Sequence, residues 1–337
     1  MMKKILIILL SISLFGCSYI EERKLSKLGY TDKEIEIIET YPDEIKELFT
    51  QEYNFMYADL IHTKGFNIDY LDEYVKFYGC VNNDDIVYMV NNGETFDHYQ
   101  KYIEFFKDPY YVEKNKELYL QYVDNYESVR QCVEAINTKS YLDYYTNIEP
   151  TDISKDYLML VNKYYALGSD YEPNDLVDVD PQYGRGRLRQ EVYEQYCKLQ
   201  DDASELGYNF KICSAYRAYD VQYGLYNGYL EEDEGGQASV DTYSARPGHS
   251  EHQTGLCLDL YDAVYGMDDF GLSEASAWIN ENCYKYGFII RYVESKEKVT
   301  GYQAEPWQIR YVGNPIIAQD IMEKGITFDE YYACFVE

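Results

Sequence analysis

Basic residues are scarce in this chain. Thirty Lys and Arg stand against 60 Asp and Glu, which leaves a formal net charge of -30 over 337 residues. That balance excludes a nucleic-acid partner or an anionic-lipid surface, because both draw on a basic excess that releases counterions. Proline is sparse at 8 residues and histidine at 4. The 8 cysteines include no C-x-x-C and no dense spacing, which argues against a zinc knuckle or a disulfide scaffold. They read as small buried apolar side chains. Hydrophobic residues still make up 46% of the chain, enough to bury a core, and the length suits two domains. Tyrosine is abundant at 42 residues. Tyrosines presented to solvent can stack on sugars, but these are spread throughout and read mostly as ordinary core and amphipathic surface residues.

Residues 18–150 read as a mainly helical N-terminal domain. Thr31 stands at an N-cap position before Ile35, Ile37 and Ile38, with acids in the first turn. The Gly-aromatic-polar opening at Gly29 recurs at Gly65, a degenerate helix-turn-helix duplication. Asp84 to Asn92 fits a short helix or a strand, and Tyr102 to Ile136 reads as helical throughout. Residues 151–337 read as a second domain, opened by a strand-like apolar run from Leu158 to Leu167. Leu188 to Leu206 has helical spacing and ends at Gly207. Phe210 to Tyr216 reads as a strand delivering Arg217, and another helix is expected near Asp220 to Leu230. Trp278 to Tyr286 predicts a helix ended by Gly287, then a strand at Phe288 to Val293. Thr300 to Tyr302 and Ile309 to Val312 read as the last sheet segments, before a helix from Pro315 to Lys324. The class is α+β, an antiparallel sheet flanked by helices.

The stretch Ser244-Ala-Arg-Pro-Gly-His-Ser-Glu-His-Gln-Thr-Gly-Leu-Cys-Leu-Asp259 carries the chemistry. Leu256 to Leu260 reads as a buried strand on which Cys257 and Asp259 share a face. A carboxylate on an apolar strand is costly to bury without a cation or hydrogen bonds. His252 and Asp259 are therefore either a metal pair, or a surface histidine and an acid that caps the next turn.

A second stretch weighs toward the metal. Glu305-Pro-Trp-Gln308 lies downstream, and together with Ser250, His252, Gly255 and Asp259 it resembles the pattern S-x-H-x-x-G-x-x-x-D…E-P-W-H. That is the pattern of the VanY-type D-alanyl-D-alanine carboxypeptidases, the M15B branch of zinc peptidases. Ser214-Ala-Tyr-Arg-Ala-Tyr-Asp-Val-Gln222 and Trp278 to Tyr292 add two further matching blocks. The resemblance implies the M15 and hedgehog-like peptidase fold and a Zn2+ cofactor. It implies His252 and Asp259 as metal ligands, with Gln308 at the third ligand position, where the family has His. It implies Glu305 as general base and Arg217 as the group that polarises the scissile carbonyl. Gln222 and Ser250 match positions lining the substrate, and Trp307 would wall the site. His249, His62 and His98 are not expected to be ligands.

An amide oxygen is a weak donor toward zinc compared with imidazole. Gln308 therefore leaves two expectations open. Zinc binds weakly, or with another side chain substituting for the missing ligand, and the protein removes the terminal D-Ala from peptidoglycan stem peptides; or the site is degenerate and the protein holds wall peptides without cutting them. Cleavage of an L,D-peptide bond is a third reading.

The N-terminus points to export. Lys3 and Lys4 precede an apolar run from Ile5 to Phe15, too short to span a bilayer comfortably as a mature helix. A positive start and a short apolar stretch read as a secretion signal. Residues 1–17 end in Leu14-Phe15-Gly16-Cys17, which resembles a bacterial lipobox. Cys17 is the expected lipidation site, and the protein is expected outside the cytoplasm, anchored to the membrane by acyl chains. Cys17→Ala should release the protein or leave it unprocessed. Normal processing and retention in the membrane fraction would overturn the anchor.

Overall fold

The computed structural model describes residues 23–40, 46, 49–50, 55–96 and 105–337. Residues 1–22, with the expected signal segment and Cys17, lie outside the described residues, as do His98 and Tyr102. The chain divides into two compact units, Met1–Asp108 and Pro109–Glu337.

In the first unit the repeated opening has a structural counterpart. Gly29 and Gly65 both adopt positive φ, and two residues later Thr31 and Asn67 each cap a helical turn. Thr31 caps the helix Asp32–Ile38 through a capping box with Glu34, whereas Asn67 caps the single 3-10 turn Ile68–Tyr70 that leads into the helix Leu71–Phe77. The ambiguous segment after Asn82 is a helix, Asn83–Asn91, because the Asn82 side chain accepts from the Asp85 N–H and fixes its start.

The second compact unit runs from Pro109, so it takes in the helical segment before the 150s. The physical reason lies in contacts that sequence order hides. The helix Val129–Asn137 joins the C-terminal helix Phe328–Phe335 through Arg130 and Glu330, 3.4 Å apart. Lys296 bridges Glu134 and Glu330 beside them. The expected continuous helix from Tyr102 to Ile136 is broken in its described part. The turn Glu113–Asn115, the helix Lys116–Tyr122 and the turn Val123–Asn125 precede Val129–Asn137, which restarts at the Ser128 cap. The expected strand from Leu158 to Leu167 shrinks to Tyr165–Ala166, paired in parallel with Glu149–Pro150. Asn162 is the cause: its side-chain oxygen accepts from the Tyr164 and Tyr165 N–H groups and closes a turn.

The core of this unit is a four-stranded antiparallel sheet of β1 (Phe210–Ser214), β2 (Cys257–Asp262), β3 (Phe288–Tyr292) and β4 (Glu305–Tyr311), in the order β1-β2-β4-β3. β4 starts at Glu305, four residues before the expected segment. Thr300–Tyr302 is not a strand; it closes the short helix Glu297–Thr300 at Gly301, whose φ of 75° reverses the chain.

Side chains alternate across a strand, and that alternation partitions the sheet. Ile212, Leu258, Leu260, Phe288, Ile290 and Ile309 enter one apolar cluster with Val192, Tyr196 and Leu199 of the helix Gln190–Glu205 and Ile279 of the helix Glu274–Asn282. Asp259, Arg291, Gln308 and Arg310, at the intervening positions, belong to the opposite face. They are buried as well, beneath the 3-10 turn Glu251–Thr254.

Glu251 from that turn lies 2.8 Å from Arg291 Nε and 2.8 Å from Arg310 Nη1, and Arg291 lies 2.6 Å from Asp329 of the C-terminal helix. The Glu251 contacts are close as charges but not aligned as hydrogen bonds. Two positive and two negative side chains thus form a neutral cluster away from water. Removing one member strands its partners in the interior. Arg310→Met should therefore destabilise the second unit by about 3–5 kcal/mol, read as a lower urea midpoint for its transition. A shift under about 1 kcal/mol, the scale of an exposed pair, would show that the cluster contributes no more than a surface contact.

Candidate active site

The polar face of the sheet opens into a cavity of about 250 Å³. All eight residues singled out from the sequence for this site line it: Arg217, Gln222, Ser250, His252, Asp259, Glu305, Trp307 and Gln308. His249 does not line it. Its ring is buried, with Nδ1 2.7 Å from Asn162 O, and burial lowers its pKa. His62 belongs to the first unit, beside Glu34.

The turn Glu251–Thr254 delivers His252. It ends at Gly255, with φ 66°, where a side chain would also meet Leu176 Cδ2 at 3.0 Å and Arg189 Cγ at 3.1 Å. Only glycine satisfies both the left-handed backbone and the close approach. Asp259 is the third residue of β2, and Gln308 faces it in register on β4. Directly paired residues in adjacent strands put their side chains on the same face, about 5 Å apart at Cβ. Glu305 opens β4 opposite Tyr292. Trp307 lines the cavity and also packs against the apolar core.

His252 Nδ1 lies 2.7 Å from Ala215 O. A carbonyl only accepts, so Nδ1 carries the proton. Nε2 then faces Asp259 Oδ2 at 3.2 Å. Two acceptors oppose each other at that distance unless a proton or a cation joins them. Asp259 Oδ1, also buried, has no hydrogen-bond partner. Both observations fit a cation beside these two residues. Imidazole nitrogen and carboxylate oxygen are ordinary zinc donors, and the amide of Gln308 is a weaker one. Among the described residues no group of three His, Cys, Asp or Glu side chains is arranged to hold a metal.

Arg217 comes after β1 in an irregular segment. Its guanidinium donates to Ser214 Oγ at 2.7 Å and to Gln222 Oε1 at 2.8 Å, with Asp259 Oδ2 at 3.9 Å. Gln222, from the helix Tyr219–Glu232, is itself fixed by donating to Ala245 O at 2.7 Å. These bonds hold the guanidinium in one orientation toward the cavity. Burial, and next the Asp259 charge, push the Glu305 carboxyl up to about 8, while Arg217 and Arg291 oppose them.

Sequence pattern alone does not single out Glu251, Tyr243, Tyr292 and Tyr302, which also line the cavity. For Glu251 a signal existed. It is an acid inside a buried motif, and Arg291 and Arg310 are the basic residues of two buried strands. The tyrosines carry no local signal among 42 of their kind.

Comparison with known proteins agrees with this geometry. The VanY family, described as D-alanyl-D-alanine carboxypeptidase, matches residues 185–314. A putative carboxypeptidase, YodJ, of Bacillus subtilis (strain 168) is 36% identical over 194 residues, covering 55% of this chain and 70% of that protein. The LdcB LD-carboxypeptidase, whose structure was solved for peptidoglycan recognition, is 35% identical with a TM-score of 0.52, over 56% of this chain and 91% of that one. A vancomycin-resistance D,D-pentapeptidase VanY solved with Zn(II) is 30% identical, with a TM-score of 0.46, over 52% of this chain and 98% of that one. The expected α+β peptidase fold is borne out. With its motif residues gathered in one cavity, the family pattern matched over residues 185–314 and 70% of YodJ covered at 36% identity, the chain belongs to the VanY family of D-alanyl-D-alanine carboxypeptidases.

Proposed function

We propose that this protein is a zinc-dependent carboxypeptidase that removes the terminal D-Ala from peptidoglycan stem peptides, at the cell surface and anchored through Cys17. The observation that carries the reading is His252 Nε2 facing Asp259 Oδ2 in the cavity that also holds Glu305 and Arg217. His252 and Asp259 would hold the metal, with the Gln308 amide as a third and weaker donor. When bound, zinc supplies Lewis acidity that makes a hydroxide nucleophile available near neutral pH.

The chain's own residues do the rest. Arg217, its charge permanent and its orientation fixed by Ser214 and Gln222, polarises the scissile carbonyl and stabilises the oxyanion. Glu305 takes the proton of the attacking water and passes it to the leaving amine. Gln222 and Ser250 line the substrate, and Trp307 walls the cavity.

A second reading is favoured by Gln308 itself. A protein with only two strong metal donors holds stem peptides without cleaving them. A third keeps hydrolysis on an L,D-bond, the class named for the LdcB relative. Zinc stoichiometry of the purified protein decides between the first two, with D-Ala release assayed in parallel. Product analysis on peptides ending in D-Ala-D-Ala or in a single D-Ala separates the third. Metal-free protein without release on any peptide would overturn the enzyme reading.

Glu305→Gln keeps the shape but cannot accept a proton. It should lower turnover by roughly 10²–10⁴-fold with zinc content unchanged. Activity within a few-fold of wild type would remove Glu305 from the mechanism. Gln308→His places an imidazole beside Asp259, so zinc affinity should rise by more than the ~10–100-fold typical of indirect changes around a metal, and D-Ala release should increase. No gain in affinity would mean that position 308 does not face the metal; zinc gained without turnover would favour the binding protein.

A further inference from the structure

A second cleft, of about 510 Å³, opens in the same unit between the segment from Asn125 to Ser140 and the turn from Ser295 to Val299. It is larger than the cavity that holds His252 and Asp259. Clefts of roughly 300–1,000 Å³ are the size that takes small ligands. Val299 lines this cleft and Tyr302, three residues on, lines the first cavity, so one turn separates the two.

The lining chemistry is selective. Tyr126 and Tyr144 contribute aromatic rings, and Tyr144 is 40% exposed despite being braced from behind. The Lys163 ammonium stands over its ring at 5.0 Å, and the Gly301 backbone passes so close that a side chain there would meet Tyr144 Cε1 at 3.0 Å. A ring held in place yet left open is a preformed plate. Asn125 and Gln131 add amides, each able to donate and accept. Charge is modest: Glu127 and Lys298 are of opposite sign, and Glu134 is engaged by Lys296. An anionic ligand would meet more acid than base here. An apolar peptide would find few aliphatic side chains beyond Ala135 and Val299. A neutral ring with apolar C–H faces and a rim of hydroxyls and amides matches both the plates and the amides.

We propose that this cleft binds a neutral N-acetylated oligosaccharide, the chemistry of the glycan strand that carries stem peptides. The choice of an N-acetylated sugar rests on the proposed function; the saccharide assignment rests on the cleft. A wall peptide entering the first cavity would then have its sugar end held by the same unit.

Calorimetric titration of the full-length protein with the tetramer of N-acetylglucosamine tests this, beside a glucose tetramer and a parallel assay of D-Ala release from a sugar-free pentapeptide. Saturable binding of the N-acetylated tetramer is expected. Tyr126→Ala and Tyr144→Ala should each weaken it by about tenfold, the order of a lost aromatic contact. If Tyr144→Ala fails to fold by circular dichroism, Tyr126→Ala and the exposed Gln131→Ala carry the comparison. Absence of binding, or binding unchanged in these variants, overturns the proposal. Equal binding of the glucose tetramer overturns the N-acetyl assignment. D-Ala release without sugar binding rejects this inference alone, and sugar binding without release from any peptide rejects the enzyme reading alone.

Discussion

The second unit depends on a buried set of opposite charges. Glu251 sits between Arg291 and Arg310, and Arg291 reaches on to Asp329. These four residues come from the turn that carries His252, from two adjacent strands and from the C-terminal helix. Any one of them alone would be too costly to bury. Together they neutralise one another and fix where the turn lies on the sheet. Arg310 adds bonds to the carbonyls of Tyr157 and Met159, so the segment before the first strand is tied to the same point. The position of His252 over Asp259 results from Glu251, its neighbour in sequence, being held this way.

A second layer of polar contacts orients the side chains that line the cavity. Ala215 O sets the His252 tautomer, and Ser214 and Gln222 aim Arg217. The Arg217 N–H donates to His252 O at 3.1 Å, which links the two segments by their backbones as well. The result gathers Asp259, Glu305, His252 and Arg217 in a small volume. Burial and the neighbouring Asp259 charge explain why the Glu305 carboxyl is pushed up. A cation between His252 and Asp259 would offset part of that charge and return Glu305 toward a carboxylate able to take a proton.

The Asn125–Ser140 segment belongs to the same compact unit as this site. The link is again electrostatic. Lys296 lies between Glu134 and Glu330, and Arg130 joins Glu330 from the other side. Lys163 extends the pattern inward. Fully buried, it donates to Asp241 O at 2.6 Å and stands 3.7 Å from the centre of the Tyr302 ring, and burial lowers its pKa to about 7. One ammonium therefore braces the tyrosine of the first cavity and the tyrosine of the second.

Much of this was legible in the sequence, and the reason is locality. Thr31 and Gly287 act on bonds within a few residues, so the helix start and the helix end they predicted are present. The alternation Leu256 to Leu260 already placed Cys257 and Asp259 on one face, because side-chain direction in a strand has period two. The resemblance to the family pattern named the cavity-lining residues from His252 to Gln308. Features hidden from the sequence depend on distant partners. The strand expected at Leu158 to Leu167 lost to a turn closed by Asn162, whose amide also reaches Asp329, 167 residues away. The segment from Pro109 onward packs into the second unit because Arg130 and Glu330 meet across 200 residues. Glu251 became central only when strand pairing brought Arg291 and Arg310 beneath it. Sequence by itself determined which side chains could do the chemistry and which way each strand turns them. Tertiary structure alone decided which charges neutralise one another, since that requires segments far apart in the chain to share one water-free volume.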